Sequence, residues 1–165
     1  MDYNEKITLT DYDINWINKF AYEAKIIQSH FPDVFIEHIG STSVEGMVSK
    51  PIIDILVGIN PYPPSIVMMK TLLDLGYIDL SEPAGLKFRK YLAKREKDNY
   101  NLHIVEYLDD NWYRFINFRD RLRSNSDDRE KYSELKKNII KKGITTFVEY
   151  CNEKDTGISN IFPKK

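Results

Sequence analysis

Apolar side chains recur at Ile14, Ile17, Ala21, Ala24 and Ile27, with Trp16 and Phe20 beside them. That is a 3.6-residue stripe, and it predicts a helix over 11–29. Phe31-Pro32 stops it, because the residue before a proline is pushed out of the helical region. The alternating segment 34–39 predicts a short strand, and 40–50, rich in Ser, Thr and Gly, a loop or short helix. The stretch 51–59 is almost continuously apolar, broken only by Asp54, and reads as a buried central strand. Three prolines mark 60–65 as a connection. A helix over 66–75 follows, with Gly76 at the position that ends helices.

Further on, 77–80 predicts a short strand, and 86–94 and 101–107 two more strands joined by the charged turn 95–99. A helix over 109–123 is capped by Asp109 or Asp110 and carries Trp112, Phe115, Ile116 and Leu122. Ser126 is the expected cap of a helix reaching about 142, and a last helix is expected over 145–152. The order is a helix, a strand-rich middle and a helical C-terminal third. It predicts an α/β (α+β) fold with a mixed sheet and helices packed on it, in one domain over 1–165.

Composition narrows the partners. Lys and Arg number 24 and Asp and Glu 25, so the chain has no global basic field and nucleic acid is disfavoured as a partner. A locally basic run from Arg114 to Lys142 is interleaved with acids and reads as a solvated helix face. Cys151 is the single cysteine, which gives no reason to expect an oxidising compartment. No leader-like or membrane-length apolar segment is visible, so cytoplasmic localisation without membrane attachment is the expectation.

The stretch with most chemistry runs from His38 to Val57. Gly40 permits close backbone approach. Ser41, Thr42 and Ser43 offer hydroxyls and backbone N–H groups suited to an anion. About a dozen residues later Asp54 interrupts an apolar strand, and a buried carboxylate must find a metal, a cation or several hydrogen bonds. It is either functional or a structural aspartate satisfied by the loop or by Lys50. His38 is read as a brace for the turn. Spacing rules out a phosphate loop of the Gly-x-x-x-x-Gly-Lys type, a Gly-x-Ser-x-Gly elbow and a structural zinc site. Arg119 and Arg123 share one helical face and read either as a clamp on phosphate or as an anchor tying the C-terminal helices to the sheet.

Tyr12-Asp-x-x-Trp16, Phe20-x-x-Glu23, Glu37-His-Ile-Gly-Ser-Thr-Ser-Val44, Lys50-Pro-Ile-Ile-Asp-Ile55, Leu102-His-Ile-Val105, Trp112, Phe118-Arg-Asp-x-Leu-Arg123 and Tyr132-x-x-Leu-Lys136 span nearly the whole chain. In these motifs the sequence resembles the GrpB family, small bacterial proteins similar to nucleotidyltransferases and also found fused to dephospho-CoA kinase. The resemblance implies a nucleotidyltransferase-like fold whose Gly-Ser turn grips phosphate, and a nucleotide or phosphorylated small molecule as ligand. Gly40, Ser41, Thr42, Ser43, Lys50, Arg119 and Arg123 are then the candidate phosphate contacts. Asp54 and His103 are the candidate catalytic residues, Asp54 also the candidate metal ligand, with Mg²⁺ the implied ion.

Active members of that superfamily carry Asp-x-Asp on the strand and a third carboxylate later, holding two metals. Here Ile52 or Leu56 stands where the partner of Asp54 would be, so the pair is incomplete. On the later strand, alternation puts Asn101, His103 and Val105 on one face and Glu106 on the other. The resemblance favours His103, as a metal ligand or general base. Two expectations follow: an enzyme or enzyme relic that binds a nucleotide, and a non-catalytic binding or scaffold module that kept the fold and lost the two-metal site.

Overall fold

A computed structural model describes residues 7–82, 88–144 and 146–162. Helix α1 spans Asn15–His30, followed by strand β1 at Phe35–Ile39, a single 3₁₀ turn at Ser41–Ser43 and strand β2 at Ile53–Ile59. Helix α2 (Ile66–Asp74) leads to strands β3 (Ile78–Asp79), β4 (Lys90–Arg95) and β5 (Asn99–Glu106). Helices α3 (Asp110–Ser124), α4 (Ser126–Lys141) and α5 (Phe147–Ile161) complete the chain. The five strands form one mixed sheet in the order β1-β2-β5-β4-β3. β2 and β5 run parallel at its centre and the other pairs are antiparallel. The mixed α/β fold with a helical C-terminal third agrees with the pattern of the sequence.

Alternation along β2 separates two cores. Ile53, Ile55, Val57 and Ile59 pack with Trp16 and Ile27 of α1 and Met68 and Leu72 of α2. On the other face Leu56 joins Ile39, Val105 and Trp112 of α3. Gly58 makes the second layer possible, since a Cβ there would lie 2.7 Å from the Trp112 ring and 2.8 Å from that of Tyr107. The helical third does not lie wholly on the sheet. Leu122 and Tyr132 pack on Val44 and Met47, in the segment just after the 3₁₀ turn, so α3 and α4 are built against the loop that carries the candidate chemistry.

Four boundaries differ from expectation. α1 starts at Asn15 rather than 11, where the Asp13 carboxylate accepts the Asn15 N–H at 2.9 Å, and Thr10 instead pairs with Ser49 in an isolated bridge. The turn joining β4 and β5 is tighter than 95–99, because Arg95 and Asn99 are themselves a ladder pair. Part of the strand expected over 86–94 lies outside the described residues. The cap of α4 is Asn125 and not Ser126: its side chain accepts the Asp128 N–H at 3.1 Å. The last helix is about twice as long as expected. Its second half, from Glu153 onward, is polar enough to resemble a tail, yet Ile158 packs beside Phe118 and Leu135, and Gly157 lies over the Leu135 side chain. Tertiary packing outweighs the weak local pattern there.

Candidate functional site

The Gly-Ser turn lies directly over Asp54. Ile39 pairs with Asp54 across β1 and β2, so the chain leaving β1 turns back over that carboxylate. Gly40 makes the turn with φ 69° and ψ −174°, a region essentially confined to glycine. A Cβ at Gly40 would sit 2.2 Å from Asp54 Oδ2. Two independent constraints, dihedral and steric, therefore require glycine here.

The three hydroxyls of the turn have different roles. Thr42 is fully buried, its Oγ1 3.0 Å from His38 Nε2. Ser43 donates to the Gly40 carbonyl at 2.6 Å. Both hold the turn's shape. His38 stacks on Phe20 at 4.6 Å, and burial brings its pKa down to about 4 despite Asp54 nearby, so it is a neutral brace. Ser41 Oγ accepts from Lys136 Nζ of α4 at 2.9 Å.

Asp54 is held from the opposite side. Asn101 Nδ2 donates to Asp54 Oδ1 at 2.7 Å. The orientation of that amide is fixed, because Asn101 Oδ1 accepts from the Tyr91 hydroxyl at 3.1 Å and from Arg95 Nη2 at 2.8 Å. His103, one step further along the same face, places Nε2 3.8 Å from Asp54 Oδ1, too far for a hydrogen bond. Its ring lies between Tyr91 at 5.0 Å and Phe115 at 5.2 Å. Its Nδ1 is buried with no hydrogen-bond partner among the described residues. Burial pushes the His103 pKa below its ordinary value, and the pull of Asp54 does not offset it. Burial alone would raise the Asp54 pKa, but His103, the Asn101 amide and the Lys50 charge outweigh it and hold the carboxyl at about 2. Asp54 is thus an anion at every working pH.

Lys50 and Lys136 both act electrostatically on this carboxylate. Lys136 is 2% exposed, carries its ammonium 4.7 Å from the Tyr132 ring and donates to the Val48 carbonyl as well as meeting Ser41. Burial pulls its pKa down to about 7, and the charges of Lys154 and Lys50 act in the same direction. Lys50 lies 5.3 Å over the Tyr150 ring, and burial followed by Lys154 lowers its pKa too. Tyr132 and Lys136 on α4, and Tyr150 and Lys154 on α5, are each four residues apart. Lys136 and Lys154 received no role from the sequence. The available signal was a lysine set in the apolar stripe formed by Tyr132, Leu135 and Ile139.

Arg119 and Arg123 stand apart from this cluster. Arg119 donates to Glu37 at 2.6 Å, to Asp120 at 2.8 Å and to the His38 carbonyl at 3.2 Å. Arg123 donates through Nε and Nη2 to the Ser43 carbonyl. Both line a separate cleft of about 300 Å³ that opens on the free edge of β1 beside Ile17 and Phe20. They tie α3 to β1 and to the turn. Glu106 ends β5 opposite Ile59 and is exposed, roughly 17 Å along the strand from Asn101 at about 3.3 Å per residue, so it does not join Asp54. Among the described residues no group of three or more His, Cys, Asp or Glu side chains gathers as a metal site. The donors near Asp54 are one carboxylate, an amide and a neutral imidazole, with Leu56 next on the same face, and this set does not fit a two-metal clamp.

A mixed sheet with a glycine-serine turn folded over a strand aspartate, and a helical third that reaches the turn through Lys136, defines the class of mixed α/β protein to which the chain belongs. A family model described as GrpB protein matches residues 6–164. The chain belongs to the GrpB family. It is 32% identical over 165 residues to a UPF0157 protein of Halalkalibacterium halodurans, covering 98% of this chain and 84% of that protein. It is 31% identical over 164 residues to the glutamate-rich protein GrpB of Alkalihalophilus pseudofirmus, covering 94% of each. Among solved structures it is similar to the conserved protein GrpB from Enterococcus faecalis, with a TM-score of 0.78, 26% identity, and 93% of this chain and 98% of that chain covered. Its relatives are bacterial proteins, and among the described residues no helix is long and apolar enough to cross a membrane.

Proposed function

We propose that the protein binds a nucleotide or another phosphorylated small molecule, with phosphate seated between the Gly40–Ser41 turn and Lys136. The observation that carries this reading is the buried Lys136 side chain, held against Ser41 where both Lys136 and Lys50 act on the single carboxylate of Asp54. A desolvated lysine such as Lys136 is stabilised in its charged form by an anionic ligand. Lys50 and Lys154 share the phosphate charge, and Asp54 positions a hydroxyl or amino group of the ligand, since Asn101 fixes its direction. Thr42 and Ser43 shape the turn. Arg119 and Arg123 support it from behind rather than touching phosphate. Asp54 with His103 offers a place for a single Mg²⁺ at most. Binding is therefore carried by lysine charge, and the divalent ion is an arm of the test.

The test is a thermal-shift series with nucleoside triphosphates, pyrophosphate and coenzyme A precursors, with and without Mg²⁺, on wild type, Asp54→Asn and Lys136→Met. Ligand at 100 times its dissociation constant stabilises by about 2.7 kcal/mol, on the order of 5–10 °C for a chain of this size. The expected result is a shift with phosphorylated ligands that is lost in Lys136→Met. Absence of any shift from folded wild type would instead favour the non-catalytic scaffold reading, to which the two arginine anchors and the incomplete carboxylate pair already lend support.

A further inference from the structure

We infer that Ser41 is a nucleophile and Lys136 its activating base, so that the protein carries a serine–lysine pair able to accept an acyl or phosphoryl group from an activated ester. The pair occupies the pocket proposed for phosphate but depends on a different property: phosphate binding needs Lys136 charged, and this chemistry needs it neutral.

The geometry meets the requirement for a nucleophile and base in hydrogen-bond reach, 2.9 Å apart. The charged amine donates to the Ser41 oxygen, and loss of its proton reverses the roles. A neutral amine has two N–H groups and one lone pair. The Val48 carbonyl can only accept, so it takes one N–H of Lys136. The Ser41 hydroxyl can give its proton to the lone pair. The Val48 contact thereby orients the base as a third group does in other nucleophile–base pairs. Of the turn's hydroxyls only Ser41 reaches Lys136, beside the Tyr132 hydroxyl, since Thr42 is engaged with His38 and Ser43 with the Gly40 carbonyl.

The environment favours the neutral amine. Lys136 faces Lys50 from the segment before β2, Lys154 from α5, Asp54 from β2, Ser41 from the turn and Tyr132 from its own helix. Burial and the two lysines outweigh Asp54, leaving about half the amine unprotonated near neutral pH.

The step balances. The Ser41 oxygen forms a bond to carbon or phosphorus, and its proton passes to Lys136 Nζ. The bond to the leaving group breaks with its electron pair, and the proton on Lys136 is available to that group. Water then releases the acyl or phosphoryl group and regenerates the serine. Occupation of the pocket by phosphate draws Lys136 to its charged form and so suppresses the reaction.

The test is incubation of the full chain with a fluorophosphonate ester, which loses fluoride, followed by intact mass and peptide mapping across pH 6–9. Wild type is expected to gain one adduct, on Ser41, at a rate that rises through about pH 7 and falls when pyrophosphate is added. Ser41→Ala should gain none. Lys136→Arg keeps a cation but supplies no base, and should react about 100-fold more slowly. Its folding is checked by circular dichroism, and the wild-type pH profile stands without it. No adduct on folded wild type, an adduct elsewhere, a flat pH profile or equal labelling of folded Lys136→Arg would overturn the pair. A pyrophosphate thermal shift without labelling overturns only this inference. Labelling without any shift overturns only the phosphate reading.

Discussion

Replacing Lys136 by Met should change stability by an amount that depends on pH in a calculable way. The Lys136 pKa falls from 10.5 to about 7 on folding. Between those values the unfolded chain holds a proton that the folded chain has released, so stability contributed at this site rises with pH. Integration gives a cost to the fold of about 4 kcal/mol at pH 7, falling to about 2 kcal/mol at pH 9. Met removes that cost and fills similar space. It also leaves the Val48 carbonyl and Ser41 hydroxyl without their partner, a loss of roughly 1–3 kcal/mol that does not vary over this range. At pH 7 the variant should therefore be as stable as wild type or more so, and its advantage should shrink by about 2 kcal/mol by pH 9. Urea unfolding of both proteins at pH 7, 8 and 9 reads this difference. Parallel profiles would refute a buried, neutralised Lys136 and remove the physical basis for the pocket's appetite for anions.

Three further outcomes follow from the same geometry. Gly40→Ala combines a forbidden backbone region with a Cβ 2.2 Å from Asp54 Oδ2, so it should cost at least about 2 kcal/mol in urea unfolding and abolish any ligand shift. Asp54, held at about 2 against an ordinary 3.8, contributes about 2 kcal/mol that is present above its unfolded pKa and lost as pH falls toward 2; in Asp54→Asn the acid limb of a stability–pH curve should flatten by that amount. Trp112 is buried against Gly58, and Trp112→Ala should lower stability by about 3–5 kcal/mol, read as a shift in the urea midpoint.

The central strands and the glycine-serine turn are legible in the sequence because each has a strong local cause. Ile53 to Ile59 is apolar but for Asp54, and helices do cover β2 on both faces. Strand alternation puts His103 and Glu106 on opposite faces and the family resemblance favours His103; the register sets Asn101 beside Asp54 and His103 beside Leu56 on the same face. The lysines of the proposed phosphate site are not legible in the same way. Lys136 and Ser41 are 95 residues apart in sequence, and only the packing of Leu122 and Tyr132 on Val44 and Met47 brings α4 to the turn. A lysine on a charged helix reads as solvated until that packing is known. Asn101 is similar: its importance lies in the two donors, Tyr91 and Arg95, that fix its amide toward Asp54. The arginines show the converse. Arg119 and Arg123 have the spacing of a phosphate clamp, and what spacing does not show is that Glu37, Asp120 and two backbone carbonyls accept from them.

Calorimetric titration of pyrophosphate into wild type at pH 7, repeated in two buffers of different ionisation enthalpy, tests the phosphate site most directly. Phosphate seated on Lys136 should draw that amine to its charged form, so binding should take up about half a proton, and the apparent heats should differ between buffers accordingly. Binding without proton uptake, or undiminished binding to Lys136→Met, would place the anion elsewhere and contradict the account.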